Sequence, residues 1–377
     1  MSIDSSQKIL SEIANNTGKT PAIVYAFTQQ EQLQLILVTP KGTPVLRTLP
    51  AANRATLLKM VTALRSELTN PTKRRTTSYL APAQQLYQWL IAPLESSLKA
   101  QKIDTLAFSL DPGLRSLPVA ALHDGQEFLV EKYSIGLIPS LNLVDTRYQD
   151  IRKSQVLAMG ASKFTNQNSL PAVPVELSTI IKQLGSDKFF LNEAFTLSNL
   201  KSQRASKPFG IIHLATHGEF KPGAASNSYI QLWDTQLRLD QLRRLGWNKP
   251  PVELLVLSAC RTALGDEQAE LGFGGLAVAA GVKSALASLW YVSDEGTLGL
   301  MSEFYGQLKS APIKAEALRQ AQIAMLKGQV RLEGGQLRLS GKSSVGVALP
   351  PELASQGNHN LAHPYYWAAF TMIGSPW

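Results

Sequence analysis

Two reactive side chains, Cys260 and His217, each follow a short aliphatic segment of the chain. Cys260 comes after residues 253–258 (ELLVLS), and His217 comes after residues 210–215 (GIIHLA). A cysteine thiol with a pKa of ~8.5 is mostly protonated at neutral pH, but a neighbouring imidazole can accept its proton and leave a nucleophilic thiolate. The imidazolium can then protonate a leaving amine. The pair could therefore attack a carbonyl carbon, provided that the fold brings the two side chains together.

The pattern of elements from residue 104 onward predicts a fold that can do this. Short apolar runs alternate with helical patterns, which is typical of an α/β fold with a mostly parallel central sheet and helices on both faces. Reactive groups in such sheets gather at the carboxyl ends of the strands. The predicted strands cover residues 105–110, 155–159, 210–215, 253–258, 284–290 and 367–373, and the predicted helices cover 174–184, 273–280, 296–309 and 313–327. If strands 210–215 and 253–258 are neighbours, His217 and Cys260 face one crevice.

The first hundred residues have a different pattern and predict a small β and helical region. Apolar, β-branched runs at 22–28, 32–39 and 43–49 precede two helical patterns at 51–68 and 81–100. We therefore expect an N-terminal region over residues 1–100 and an α/β domain over residues 101–377.

Gly218 and the backbone of Cys260 are candidates for stabilising a negatively charged oxygen. A glycine directly after His217 lets a backbone N–H approach a substrate closely. Together with the N–H of Cys260, it could form an oxyanion hole. The competing interpretation of the chain's single cysteine is a buried, structural thiol, which composition alone would favour.

The motifs around these residues resemble the CHAT domain of the caspase-like cysteine peptidases, clan CD. His217-Gly218 and Ala259-Cys260 look like the catalytic signature of that clan. The more specific matches are HLATHGEF (213–220), LVLSACRTALG (255–265), GFGGLAVAAGVKSALASLWYVSDEGT (272–297), HPYYWAAFTMIG (363–374) and the stretch 114–143. The resemblance implies a cysteine endopeptidase in which Cys260 is the nucleophile and His217 the general base and acid.

The same resemblance implies a substrate cleft and a regulator. Residues 287–294 would line the cleft for an extended peptide, with Ser288, Trp290 and Asp294 as substrate contacts. CHAT domains commonly follow tetratricopeptide repeats, which are not visible here, so the regulator would be a separate chain, such as a tetratricopeptide-repeat protein, or would lie outside this sequence. The alternative function is a non-catalytic or latent interaction module that keeps the fold and binds a partner protein.

Other function classes have weaker support in the sequence. The net charge of +9 comes from scattered residues, with one tight run at Lys73-Arg74-Arg75, so no nucleic-acid partner is expected. His213 precedes His217 by four residues but lies in a strand pattern, so we expect it to be buried and hydrogen-bonded rather than a metal ligand. No metal or cofactor is expected.

The sequence also predicts the cellular compartment of the protein and a long loop near its C-terminal end. A single cysteine and an N-terminus without a signal-peptide layout predict a cytoplasmic protein, and the apolar stretch 271–290 reads as a helix and strand rather than a membrane span. Residues 328–362 interrupt the α/β pattern. They predict a hairpin at 330–340, with its turn at Gly334-Gly335, inside a loop.

Overall fold

The computed structural model describes residues 2–185, 188–219, 225–258, 272–341 and 346–377. The helices within these ranges are α1 (Ile3–Thr17), α2 (Arg54–Thr69), α3 (Leu80–Leu90), α4 (Glu95–Ala100), α5 (Leu129–Lys132), α6 (Val173–Gln183), α7 (Leu197–Ser206), α8 (Gly272–Ala279), α9 (Asp294–Leu308), α10 (Lys314–Leu326), α11 (Pro351–Ala354) and α12 (Pro364–Trp367). The strands are β1 (Pro21–Thr28), β2 (Leu33–Val38), β3 (Val45–Leu49), β4 (Thr105–Leu110), β5 (Ser134–Leu137), β6 (Val156–Gly160), β7 (Phe190–Leu191), β8 (Ile211–Ala215), β9 (Gly218–Glu219), β10 (Tyr229–Gln231), β11 (Gln236–Arg238), β12 (Leu254–Ser258), β13 (Ser284–Ser288), β14 (Arg331–Glu333), β15 (Gln336–Arg338), β16 (Val347–Ala348), β17 (His359–Asn360) and β18 (Phe370–Gly374).

The central sheet has the strand order β3-β2-β1-β4-β5-β18-β13-β12-β8-β6-β7. Strands β13, β12, β8, β6 and β7 run parallel to one another. Strands β1, β4, β5 and β18 form a second parallel block, and the two blocks meet where β13 pairs antiparallel with β18. The prediction of a mostly parallel α/β sheet is confirmed.

Apolar side chains cover both faces of this sheet. In β1, Ala22 and Val24 belong to the large core cluster, whereas Ile23 belongs to a second, smaller cluster with Leu10 and Ile13 of α1. This alternation follows from the two-residue period of a strand, which sends successive side chains to opposite faces. A sheet that is buried on both faces gives its strand ends a fixed position.

The strands of the N-terminal region extend the same sheet. β1 pairs in parallel with β4 from Pro21–Thr105 to Ala26–Leu110. Strands from both sides of residue 100 are therefore hydrogen-bonded neighbours. The helix predicted at 81–100 is divided into α3, a 3₁₀ turn and α4 at Pro93, which has no backbone N–H to continue the α-helical hydrogen bonds.

The interrupting segment 328–362 contains a small sheet of order β16-β15-β14-β17 within the described residues. Its predicted hairpin is confirmed, with Gly334 and Gly335 at φ +59° and +71° in the turn, a conformation that favours glycine. Glu303 of α9 anchors the segment by accepting the backbone N–H of Ser340 at 3.1 Å and its hydroxyl. The segment is thus folded against α9 over the part that is described.

Candidate active site at one edge of the sheet

His217 lies at the carboxyl edge of the parallel block, two residues beyond the end of β8. β8 is buried along its whole length and pairs with β12 so that Ala215 lies opposite Ser258. Thr216 holds the backbone between the end of β8 and His217. Its N–H donates to the carbonyl of Ser258 (3.3 Å), and its hydroxyl donates to the carbonyl of Gln231 (2.6 Å). The two strands are neighbours, which is the condition that a shared crevice requires.

One hydrogen bond of the His217 ring defines which of its nitrogens can act as a base. Nε2 lies 2.7 Å from the carbonyl oxygen of Asn168, and because a carbonyl only accepts, Nε2 carries the hydrogen. In the neutral ring, Nδ1 therefore holds the lone pair. The ring of Phe164 packs at 4.5 Å between centroids, and the N–H of Gln231 donates to the His217 carbonyl at 2.9 Å.

Asn168 and Phe164 belong to one loop, residues 161–172, which follows β6 and which we call the strap. Its position depends on backbone amides bound to the neighbouring strand, to the strap itself and to α9. These bonds are Ala161 N–H to the Ala215 carbonyl (3.0 Å), Leu170 N–H to the Ser162 carbonyl (2.9 Å) and Ala172 N–H to Asp294 Oδ2 (3.2 Å). The strand that delivers His217 thus also holds the loop that orients its ring.

Cys260 and Ala259 lie outside the described residues, so the proposed dyad has one described member. The described part of β12 ends at Ser258, which is buried. Gly218, the expected oxyanion donor, begins β9 and pairs with Ile230 of β10. His217 and Gly218 are both half-buried, at the same edge as the end of β12.

The three expected substrate residues have different surroundings. Ser288, the last residue of β13, is fully buried, and Trp290 is 3% exposed with its indole N–H donating to the carbonyl of Tyr365 at 3.1 Å. Tyr291, between Trp290 and Asp294, is 52% exposed, and its carbonyl accepts the Tyr365 hydroxyl at 3.2 Å. Sequence reasoning missed Tyr291, although an aromatic residue just after a strand end was a usable signal.

Asp294 is the first residue of α9 and has a perturbed acidity. Burial raises the pKa of its carboxyl from 3.8 to about 6, and the nearby charges of Glu176 and Glu295 act in the same direction. The hydrogen bond from Ala172 opposes this rise. A carboxyl that titrates near neutrality at the edge of a candidate site is typical of functional positions.

His213 is a structural residue, as its strand pattern predicts. It is fully buried, with Nδ1 3.2 Å from the hydroxyl of Tyr305 and Nε2 3.0 Å from Oε1 of Glu176. These contacts join β8 to α9 and α6 on one face of the sheet. Among the described residues, no three histidine, cysteine, aspartate or glutamate side chains are placed to hold a metal ion.

The sequence profile of the CHAT domain matches residues 80–375. This chain belongs to the CHAT-domain family. No similar sequence is found among curated proteins. The fold of the CHAT chain is caspase-like. It is similar to that of separase in two crystal structures of the Saccharomyces cerevisiae separase–securin complex, at 11% and 10% identity and TM-scores of 0.59 and 0.56.

In both comparisons the match covers 99% of the CHAT chain but 31% of the separase chain, so this chain spans about a third of separase. Gingipain R of Porphyromonas gingivalis, an Arg-specific cysteine proteinase, is a more distant match, with 11% identity and a TM-score of 0.45 over 85% of this chain and 74% of that chain. No described helix of the CHAT chain is both long and apolar enough to cross a membrane.

Proposed function

We propose that this CHAT chain is a cysteine endopeptidase whose dyad is Cys260 and His217. The observation that carries the proposal is the hydrogen bond between His217 Nε2 and the Asn168 carbonyl, which leaves Nδ1 as the basic nitrogen. That ring lies at the carboxyl edge of β8, and the parallel neighbour β12 leads to Cys260 two residues after Ser258. A nucleophile, a base and a group that orients the base form the minimal machinery of thiol peptidases.

The reaction follows from these roles. His217 Nδ1 takes the thiol proton of Cys260, and the thiolate attacks the carbonyl carbon of the scissile peptide bond. The backbone N–H groups of Gly218 and Cys260 stabilise the oxyanion. The imidazolium, held by the Asn168 carbonyl, protonates the leaving amine, and the remaining thioester is hydrolysed by water, which returns the thiol and the neutral histidine. No cofactor is required for these steps.

An extended peptide is the proposed substrate, bound along residues 287–294. Ser288 and Trp290 are buried, so their contribution is to shape the wall and to present backbone groups, whereas Tyr291 offers an exposed ring. Asp294 lies beside the strap, through its bond to Ala172. Main-chain hydrogen bonds to such a segment would bind peptides of many sequences, and side-chain cavities would select among them.

Regulation by a partner protein is the second part of the proposal. The ring of Phe164 packs on His217 and the carbonyl of Asn168 binds its ring, so a partner that shifts the strap would change the position of the base. The similar separase structures were determined with a protein partner, securin. A tetratricopeptide-repeat protein or another regulatory chain would act on this strap.

Cleavage profiling tests the proposal. The wild-type chain, with and without candidate partner proteins, is incubated with a proteome-derived peptide library, and new termini are identified by mass spectrometry. We expect cleavages that disappear in Cys260→Ala and His217→Ala but persist in His359→Ala, a control histidine in the small sheet. Cleavages that persist in Cys260→Ala would refute the mechanism.

The alternative is a latent or non-catalytic module that binds a partner protein, with the strap packed on His217 as its resting arrangement. It predicts a Cys260 that does not react with thiol probes under any activating condition. Since the chain has one cysteine, labelling reports on this residue alone.

A further inference from the structure

A cavity of about 500 Å³ opens beside His217, between the strap and strands β10 and β11. Phe164, whose ring packs on His217, forms part of its wall, as does Gln231, whose N–H binds the His217 carbonyl. A side chain bound in this cavity would thus lie within one residue layer of the proposed base. The cavity is therefore placed to select a substrate side chain near the scissile bond.

Lys163 gives this cavity a positive charge. It is the one charged residue among the described residues of the lining, is exposed, and has no ion pair within the described part of the chain. The other polar lining groups are amides and hydroxyls, and the Gln231 amide already donates to the Leu232 carbonyl at 2.7 Å. The neighbouring carboxylate of Glu219 accepts the phenol of Tyr229 at 2.8 Å from outside the lining.

Aromatic rings supply the apolar part of the wall. Trp233 lines the cavity and is 37% exposed, and Tyr229 lines it opposite the strap. Burial and the hydrogen bond to Glu219 raise the pKa of Tyr229 to about 12, so this phenol stays neutral at physiological pH. The rings can pack against the methylene groups of a side chain whose charged end reaches Lys163.

We propose that this cavity binds an acidic side chain of the substrate and that Lys163 is the residue that selects it. The inference rests on the proposed function and names the substrate class of that site. A carboxylate gains a charge-assisted hydrogen bond from the ammonium group, whereas a lysine or arginine side chain meets a like charge. Because Lys163 is exposed to solvent, we expect a preference of about tenfold for glutamate over lysine at one substrate position.

The test uses fluorescence-quenched octapeptides that carry glutamate, glutamine or lysine at one position at a time, with kcat/KM measured for the wild type, Lys163→Gln and Lys163→Glu. Lys201→Glu, an exposed lysine on α7, is the matched control. We expect glutamate to be preferred by the wild type and the control, the preference to vanish in Lys163→Gln and to reverse in Lys163→Glu. Cleavage with the same preference in all four proteins would overturn the inference while leaving the proposed function intact.

A binding measurement tests the inference independently of peptidase activity. Fluorescein-labelled versions of the same peptides are titrated into Cys260→Ala and into Cys260→Ala carrying Lys163→Glu, and the anisotropy is recorded. Tighter binding of glutamate peptides that depends on Lys163 supports the inference even if no variant cleaves them, in which case only the peptidase proposal fails. Equal affinity of both proteins for the glutamate and lysine peptides overturns the inference.

Discussion

Replacing Asp294 by asparagine should stabilise the chain at alkaline pH and have little effect at acidic pH. Burial raises the pKa of this carboxyl from 3.8 to about 6, so folding disfavours the ionised form. The difference between these two values corresponds to about 3 kcal/mol of unfolding free energy. Stability from the protonated group is fully present below pH 3.8 and is lost as the pH rises through 6.

Asparagine removes the ionisation and keeps the acceptor. Its side-chain oxygen can still accept the Ala172 N–H, which Asp294 binds at 3.2 Å. Asp294→Asn should therefore exceed the wild type by as much as ~3 kcal/mol at pH 8 and match it near pH 4. If Asp294 also contacts the substrate, the stabilised variant should cleave peptides more slowly, because a buried carboxylate that destabilises the fold would then be retained for activity.

Urea unfolding at pH 4, 6 and 8, followed by fluorescence and circular dichroism under reducing conditions, measures the difference. Asp150→Asn is the control, because its bond to Arg152 lowers the pKa of Asp150 to about 2, so the opposite, small effect is expected at this exposed pair. A stability difference for Asp294→Asn that is zero at pH 8, or that is the same at all three pH values, would refute the reasoning.

Two further substitutions test the supports of the site. Tyr305→Phe leaves the buried Nδ1 of His213 without its hydroxyl partner. We expect the free energy of unfolding, measured in urea, to fall by about 1–3 kcal/mol, while labelling of the folded protein by thiol probes stays unchanged. An unchanged free energy of unfolding would mean that this bond is not formed. Arg74→Ala removes a guanidinium 3.7 Å from the ring centroid of Tyr365. We expect the free energy of unfolding to fall by about 1 kcal/mol. We also expect a lower kcat/KM, because the Tyr365 hydroxyl donates to the carbonyl of Tyr291 in the cleft segment. Equal effects from Arg75→Ala, its exposed neighbour, would contradict this role.

Sequence patterns predicted the edge of the sheet well because they depend on burial. The aliphatic runs 210–215 and 253–258 can bury all their side chains only in the middle of a sheet that is covered on both faces. Both runs form central strands, β8 and β12. His213 was placed in the core for the same reason. The hairpin at Gly334-Gly335 was predictable because its turn needs positive φ angles, which glycine adopts readily.

Other features leave no clear signal in residue types. The orienting partner of His217 is a backbone carbonyl, and any residue at position 168 could provide it. The support of Tyr291 by Arg74 joins positions more than 200 residues apart, and Arg74 read only as part of a solvated basic run. The cavity beside Lys163 depends on how the strap packs against β10, which no local pattern describes.

The pH dependence of Cys260 alkylation tests the dyad most directly. The wild type, His217→Ala and His359→Ala are reacted with iodoacetamide between pH 5 and 10, and the single cysteine of the chain makes every adduct a measure of Cys260. The proposed thiolate–imidazolium pair predicts rapid alkylation already near pH 6 in the wild type and in His359→Ala, and a shift of His217→Ala toward the ordinary thiol pKa of ~8.5. A wild-type Cys260 that titrates near 8.5, with no change in His217→Ala, would contradict the dyad.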